Sequence, residues 1–276
     1  MPALLPPKLL LFPLVFFLFC PPFSTSAIGE TASYLAGGVG VARINYKEKI
    51  PEFELTSSDS DVLNLALYLE ARKAMENFFI GAKGWLPLTT GETREYWARS
   101  GELQQSNSLI CRRAQADAHA GYFLHRWLNP YIGVHWSYAE QERSRFEDLR
   151  IPQIITGNST EEVNSFAALI GIQGSLPLTG KWSLSYFAEY MLPFYSRVTN
   201  SSIPDWEATD INGYSYALAG RLSYAYSENV AAALQITGGR QHWDGSDWIR
   251  IDDVRVKWPE NDTDYINFII SVYRYF

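Results

Sequence analysis

Hydrophobic and polar residues alternate along the end of the chain, over residues 264–276. One face of this stretch carries the apolar side chains Ile266, Phe268, Ile270, Val272 and Phe276. The other face carries Asn267, Ser271, Tyr273 and Tyr275. Because side chains along a β-strand point alternately to its two sides, the pattern predicts one strand with an apolar face and a more polar face.

The same alternation recurs along most of the chain and predicts ten strands. Their expected bounds are residues 33–46, 62–72, 78–86, 107–124, 129–142, 163–178, 182–198, 212–226, 230–244 and 264–276. The end of the second segment has a composition that also suits a helix. A strand is favoured there by the strict alternation of Leu63, Leu65, Leu67 and Leu69.

The links between these strands alternate between four short turns and five long loops, with both ends of the chain on the short-turn side. The second long loop is predicted at residues 87–106 and the third at residues 143–162. Short turns, long loops and an even strand count are typical of transmembrane barrels, whereas the loops of a soluble β-sandwich need not alternate in length. The sequence therefore predicts an all-β fold, a closed antiparallel up-and-down transmembrane β-barrel of ten strands.

The last strand also carries a family resemblance. A terminal Phe276 with apolar residues at every second position before it resembles the closing strand of small bacterial outer-membrane β-barrel proteins. Arg274 departs from that pattern, in which an apolar or aromatic residue is usual. The resemblance implies a Gram-negative outer membrane, contact with its lipid and lipopolysaccharide, and insertion by the barrel assembly machinery. It leaves the oligomeric state open.

The start of the chain has the features of a cleaved signal peptide. Lys8 precedes an apolar run at residues 9–19, and Ala27 is a small residue at the expected cleavage site. We therefore expect a signal at residues 1–27 and one barrel domain at residues 28–276. Cys111 would then be the only cysteine of the exported chain, which excludes an intrachain disulfide.

Charge and motifs narrow the possible functions. The formal net charge is −7 and no basic stripe is present, so we expect no nucleic-acid partner. No glycine-rich phosphate loop and no Cys/His set with the spacing of metal ligands occurs, so we expect no cofactor and no metal.

A polar set of side chains falls on the face opposite the apolar one and is predicted to line a narrow lumen. Its candidates are Glu70, Lys83, Arg113, Asp117, His119, His135 and Arg221. Ten strands leave little interior space, so we expect these side chains to fill most of it. Simple hairpin registers place Glu70 beside Lys83, His119 beside His135, and Asp117 beside Ser137.

Two histidines beside an aspartate form either a proton-sensitive or ion-binding site or an ordinary network of buried polar groups. The ordinary network is the interpretation we favour for His119, His135 and Asp117.

A second candidate group lies near the predicted long loops: Asp205, Asp210, His242 and Asp244. It is similar to the rim of the omptins, ten-stranded surface proteases that use an Asp-His pair and two further aspartates. The order of the pair is reversed here, which weakens the similarity. Three functions stay open: a non-enzymatic barrel with structural, surface-interaction or small-solute roles, a rim hydrolase, and a narrow diffusion channel.

Overall fold

The computed structural model describes residues 32–57, 60–150, 153–203, 206–251 and 254–276. The predicted signal peptide lies outside these residues. Within them, no helix has the length and apolar character needed to cross a bilayer.

Nearly all of the described chain is β-strand. The strands are β1 (Tyr34–Ile50), β2 (Leu55–Ser57), β3 (Ser60–Met75), β4 (Phe78–Pro87), β5 (Glu92–Arg99), β6 (Glu102–Tyr122), β7 (Asn129–Asp148), β8 (Gln153–Pro177), β9 (Trp182–Asn200), β10 (Glu207–Thr209), β11 (Gly213–Ser227), β12 (Val230–Trp243), β13 (Ile249–Ile251), β14 (Val254–Val256) and β15 (Glu260–Tyr275). A 3-10 helix, Pro51–Phe53, joins β1 to β2. The second predicted strand, where a helix was the alternative, is confirmed as a strand by β3.

Ten of these strands form a closed ring in the order β1, β3, β4, β6, β7, β8, β9, β11, β12, β15. The ring closes where β15 pairs antiparallel with β1, from Tyr34 opposite Tyr275 to Lys49 opposite Glu260. This closure leaves no free sheet edge within the ring. The predicted all-β closed barrel of ten strands is therefore confirmed.

Two of the predicted long loops are wrong, because the strands continue through them. Residues 87–106 contain β5, which pairs with the part of β6 that lies beyond the end of its pairing with β4. The link between β5 and β6 is therefore only a turn at Ser100 and Gly101, both with positive φ. Likewise, β7 and β8 reach into residues 143–162 and pair as far as Asp148 opposite Gln153. In β5, polar residues such as Arg94 and Glu95 fall on both faces, so no apolar face marks this segment as a strand.

A belt of apolar side chains surrounds the outside of the ring. Outward residues such as Val39 and Ile132 are 58% and 67% exposed. Further members include Leu63, Leu65, Ile170, Leu192, Leu218, Leu234, Phe268 and Ile270. An apolar surface of this extent on the outside of a closed barrel is the feature that faces hydrocarbon in transmembrane barrels.

We call the end of the barrel that carries the long links the long-loop end. Charged pairs mark the limit of the apolar belt at this end. On the outer surface there, Arg43 forms an ion pair with Asp61, and Arg240 forms one with Asp264. The short turns and Tyr34 lie at the opposite end, which we call the short-turn end. The residues between these two ends form the membrane-spanning part of the fold.

Candidate functional site

A buried carboxylate on β3 ties one side of the lumen to the other. Glu70 accepts hydrogen bonds from the hydroxyls of Tyr34 and Tyr68, each at 2.6 Å, and from Tyr273 at 2.9 Å. Glu70 also forms an ion pair with the Arg221 guanidinium on β11, at 2.5 Å. Because β3 and β11 are not neighbours in the ring, this ion pair crosses the lumen.

A second bridge crosses the lumen between β4 and β9. The Lys83 ammonium lies 2.6 Å from a Glu189 carboxylate oxygen and 3.6 Å from Asp117. Glu189 also accepts a hydrogen bond from the Tyr131 hydroxyl at 2.7 Å, and Asp117 is bonded to His135 Nδ1 at 2.5 Å. Both bridges lie at the level of the apolar belt, so charged side chains occupy the middle of the barrel.

The strand registers agree with one of the three predicted neighbour pairs. Glu70 lies directly opposite Lys83. The two do not pair with each other, because Glu70 forms its ion pair with β11 and Lys83 forms its shortest one with β9. The expected pairing of His119 with His135 is wrong by two residues, since His135 lies opposite Asp117. Ser137 is opposite Gln115 for the same reason. A shift of two residues keeps every side chain on its face, so the lumen set stays inside.

His119 is packed against rings and not against the other histidine. Its ring centroid lies 4.9 Å from that of Tyr131 and 6.0 Å from that of Phe79. Space for the ring comes from Gly81, where an added Cβ would approach His119 Nε2 to 2.5 Å. The two histidines therefore do not act as a pair, and only His135 contacts the aspartate.

Arg113 is the least satisfied member of the lumen set. Its side chain is buried, and none of its three guanidinium nitrogens has a hydrogen-bond partner among the described residues. The guanidinium carbon lies 4.9 Å from the centre of the Tyr265 ring. The guanidinium thus contacts the ring face of Tyr265, a favourable arrangement for a cation.

A buried acidic cluster fills part of the barrel at the long-loop end, beyond the apolar belt. Arg143 on β7 donates from Nε to Glu95 and from Nη2 to Glu48, both at 2.8 Å, and also reaches Gln141 at 3.2 Å. The Glu48 backbone N–H donates to the hydroxyl of Ser57 at 2.7 Å. The Glu95 and Glu48 side chains are 0% and 2% exposed, so this arginine is stabilised by well-shielded carboxylates.

A third carboxylate, Glu161 on β8, faces the same arginine. The residue is 4% exposed, and its Oε1 accepts no hydrogen bond from the described residues. Burial and the nearby charge of Glu48 raise the pKa of Glu161 to about 7, against the opposing charge of Arg143. Burial also raises the pKa of Glu48. Three buried carboxyls therefore face one guanidinium, and two of them, Glu48 and Glu161, hold protons more tightly than free glutamates do.

Replacing Glu161 with glutamine is expected to flatten the pH dependence of barrel stability. A carboxyl whose folded pKa is raised stabilises the fold below its unfolded pKa of about 4.3, and this contribution is lost as pH rises to about 7. The E161Q barrel should therefore lose less unfolding free energy between pH 5 and pH 8 than the wild type. Denaturant titrations at both pH values measure it.

The matched control is Glu162→Gln, on the exposed side of the same strand. It should leave the pH slope unchanged. Equal slopes for E161Q and the wild type would show that Glu161 titrates as an ordinary carboxyl.

The predicted rim histidine points away from the lumen. His242 lies on the outer face of β12, with Nδ1 2.8 Å from Asp262 and Nε2 3.1 Å from Asp244. Burial would raise the pKa of Asp262, but its bond to His242 and the charge of Lys49 lower it. The structure thus brings His242 to Asp244, as the spacing suggested, and adds Asp262.

The other two rim candidates are not part of this group. Asp210 is exposed, has a positive φ, and donates its backbone N–H to the Ser196 carbonyl. Asp205 lies outside the described residues. Over the described ranges, no three His, Cys, Asp or Glu side chains are arranged to hold a metal ion.

Sequence reasoning missed the acidic cluster. Glu48, Glu95 and Arg143 all fall in segments that the sequence predicts as links between strands. The alternation of inward and outward residues could have placed Glu48 inside the barrel, because it continues the inward series of β1 that includes Ala42, Ile44 and Tyr46.

Comparisons with known proteins show a shared fold. No protein-family model and no curated protein matches the sequence. The outer membrane protease OmpT from Escherichia coli matches over 92% of this chain and 99% of its own, with a TM-score of 0.73 and 11% identity.

Two barrels from autotransporters match less well. The transport unit of AIDA-I from Escherichia coli is 8% identical with a TM-score of 0.43, over 92% of this chain and 93% of its own. The translocator domain of NalP from Neisseria meningitidis is 12% identical with a TM-score of 0.40, over 88% of each chain. At 11% identity the OmpT match concerns the fold alone. The chain therefore has the ten-stranded antiparallel fold of a small outer-membrane β-barrel protein, of the kind seen in OmpT.

Proposed function

We propose that this protein is a non-conducting outer-membrane barrel that acts at the cell surface through its long-loop end. The observation that carries the proposal is the pair of ion-pair bridges across the lumen, Glu70 with Arg221 and Lys83 with Glu189. At the long-loop end the lumen is narrowed further by a cluster that includes Trp206, Trp243 and Trp258. Because side chains fill the lumen both at the level of the apolar belt and at the long-loop end, the barrel has no continuous aqueous path for solutes.

The proposed orientation follows the usual arrangement of such barrels. The short turns face the periplasm, and the long-loop end projects outward. The apolar belt contacts lipid and, in the outer leaflet, lipopolysaccharide. The barrel assembly machinery inserts the exported chain after its signal at residues 1–27 is removed. The paired extensions of β5 to β8 then form the surface through which the protein interacts.

Planar-bilayer recording is expected to show no open-channel current for the purified wild type. The physical reason is that two charged bridges occupy the lumen at the level of the belt, and a ten-stranded barrel has little other interior space. A general porin inserted in the same bilayer is the positive control. Stable current steps from the wild type would contradict this proposal and favour the narrow diffusion channel.

A surface hydrolase is the second candidate, and the observation that favours it is His242 held between Asp244 and Asp262 at the long-loop end. OmpT, whose fold this chain shares, is a protease. The geometry also argues against this role. Carboxylate oxygens occupy both imidazole nitrogens of His242, so neither nitrogen is free to contact a water molecule and take its proton.

We expect whole cells that express the protein to leave fluorogenic peptides uncleaved. The reason is the doubly bonded state of His242 described above. Cells with the empty vector measure the background. Cleavage above that level which is lost in His242→Ala, but kept in the control His125→Ala at the short-turn end, would instead establish the hydrolase.

A further inference from the structure

A cavity of about 640 Å³ lies inside the barrel at the short-turn end. Pockets that hold small molecules in proteins commonly measure about 300–1,000 Å³. The residues that line this cavity are distinct from the acidic cluster and from the rim histidine. Its inner limit is the Glu70–Arg221 ion pair, and its mouth includes Lys181 in the turn between β8 and β9.

Small inward side chains create this space. Ser183 and Ser185 on β9, Ala219 and Ser223 on β11, and Ala231 on β12 all line the cavity. The cavity is therefore encoded by the sequence of three adjacent strands and does not result from a loose contact between loops.

The charges that line the cavity are predominantly positive. Among the described residues, the only carboxylate that lines it, Glu70, is already paired with Arg221. Arg72, Arg126 and Lys181 also line it, and none of them forms an ion pair with a carboxylate in the described part of the chain. The Arg72 guanidinium lies 4.6 Å from the centre of the Tyr34 ring, and Arg126 and Lys181 are exposed. Three cations without a carboxylate partner around one cavity produce a potential that attracts an anion.

Two amides that line the cavity have hydrogen-bonding atoms without partners. Asn129 is 3% exposed, and its Oδ1 accepts no hydrogen bond within the described residues. The buried Nε2 of Gln173 likewise donates to none of them. A buried amide left in this state costs free energy, and a hydroxyl group can both donate to the first and accept from the second.

We propose that this cavity binds a small hydroxylated organic anion, an acidic sugar, that enters from the short-turn end. The anionic group pairs with Arg72, Arg126 or Lys181, and the hydroxyls bond the amides of Asn129 and Gln173. A carboxylate and a phosphate satisfy the same cations, so both sources of charge are tested. This inference is independent of whether the lumen conducts.

The test is calorimetric titration of the folded, detergent-solubilised full barrel with three probes. Glucuronate carries a carboxylate, glucose 6-phosphate carries a phosphate, and glucose carries neither. We expect saturable binding of at least one of the two acids and at least tenfold weaker binding of glucose. The acid that binds identifies which anionic group the cavity prefers.

Two variants locate the binding in the cavity. Lys181→Glu, in an exposed turn, and Ala219→Phe, which fills the cavity, should each weaken binding of the acid at least tenfold. Arg145→Glu changes the net charge equally at the long-loop end and should bind like the wild type. Lys181→Glu keeps the test valid if Ala219→Phe does not fold.

Three results would overturn the proposal. They are no binding of either acid, equal binding of glucose, and unchanged affinity in both cavity variants.

Discussion

Replacing Arg143 with methionine is expected to destabilise the barrel by about 3–5 kcal/mol at pH 8, the cost of removing one partner from a buried ion pair. Arg143 is the cation that faces Glu48, Glu95 and Glu161, and all three carboxyls are buried. Without it, these carboxyls must ionise in a poorly solvated space or hold protons at high pH. Guanidinium titrations in detergent, followed by tryptophan fluorescence, measure the change in unfolding free energy.

The size of this effect should depend on pH. At pH 5 a larger fraction of the raised-pKa carboxyls of Glu48 and Glu161 is protonated, so the loss of Arg143 should cost less than at pH 8. Arg145→Met, at an exposed position two residues away, is the control and should change the stability little. A difference below about 1 kcal/mol between R143M and this control would contradict a central role for Arg143.

Replacing Glu70 with leucine is expected to have a similar effect in the other half of the lumen. The change removes the acceptor of three tyrosine hydroxyls and leaves Arg221 without its carboxylate. Lost bonds to a buried charge and an unpaired buried guanidinium together predict a loss of about 3–5 kcal/mol. The same denaturant titration measures it.

A second substitution separates the charge from the packing. Glu70→Leu combined with Arg221→Met removes both charges of the bridge and should recover part of the lost stability, because no unpaired ion remains. Glu228→Leu, in an exposed turn at the same end, is the control for a surface change. If the double variant is as unstable as the sum of its single variants, the two side chains do not interact as the structure indicates.

The ring of strands could be predicted because lipid imposes a simple rule on its outer face. Every second residue in the belt is apolar, as in Leu63, Leu65, Leu67 and Leu69 of β3, and this alternation is visible without knowing any contact. This alternation ends where the strands extend beyond the apolar belt. Outside the belt both faces of β5 are polar, so the pattern no longer distinguishes a strand from a loop.

The contacts across the lumen could not be predicted, since they depend on how the ring closes. Glu70 lies opposite Lys83 in the neighbouring strand, yet its ion pair is with Arg221, 151 positions away. The alternation along each strand determines which side chains point inward, but strand tilt and register determine which of them come into contact across the lumen. The error of two residues between His119 and His135 is one of hairpin register, which the turn between β6 and β7 sets.

The central claim is that ten strands close into one ring through β1 and β15, and cysteine crosslinking in outer membranes tests it most directly. Val39 is opposite Ile270 on β15 and opposite Leu67 on β3, and all three face outward. Cys111 is buried, so the background reaction is low. With a short thiol-reactive crosslinker, Val39→Cys/Ile270→Cys should crosslink within the chain as efficiently as Val39→Cys/Leu67→Cys. Efficient crosslinking of the β1–β3 pair alone would contradict the closed barrel.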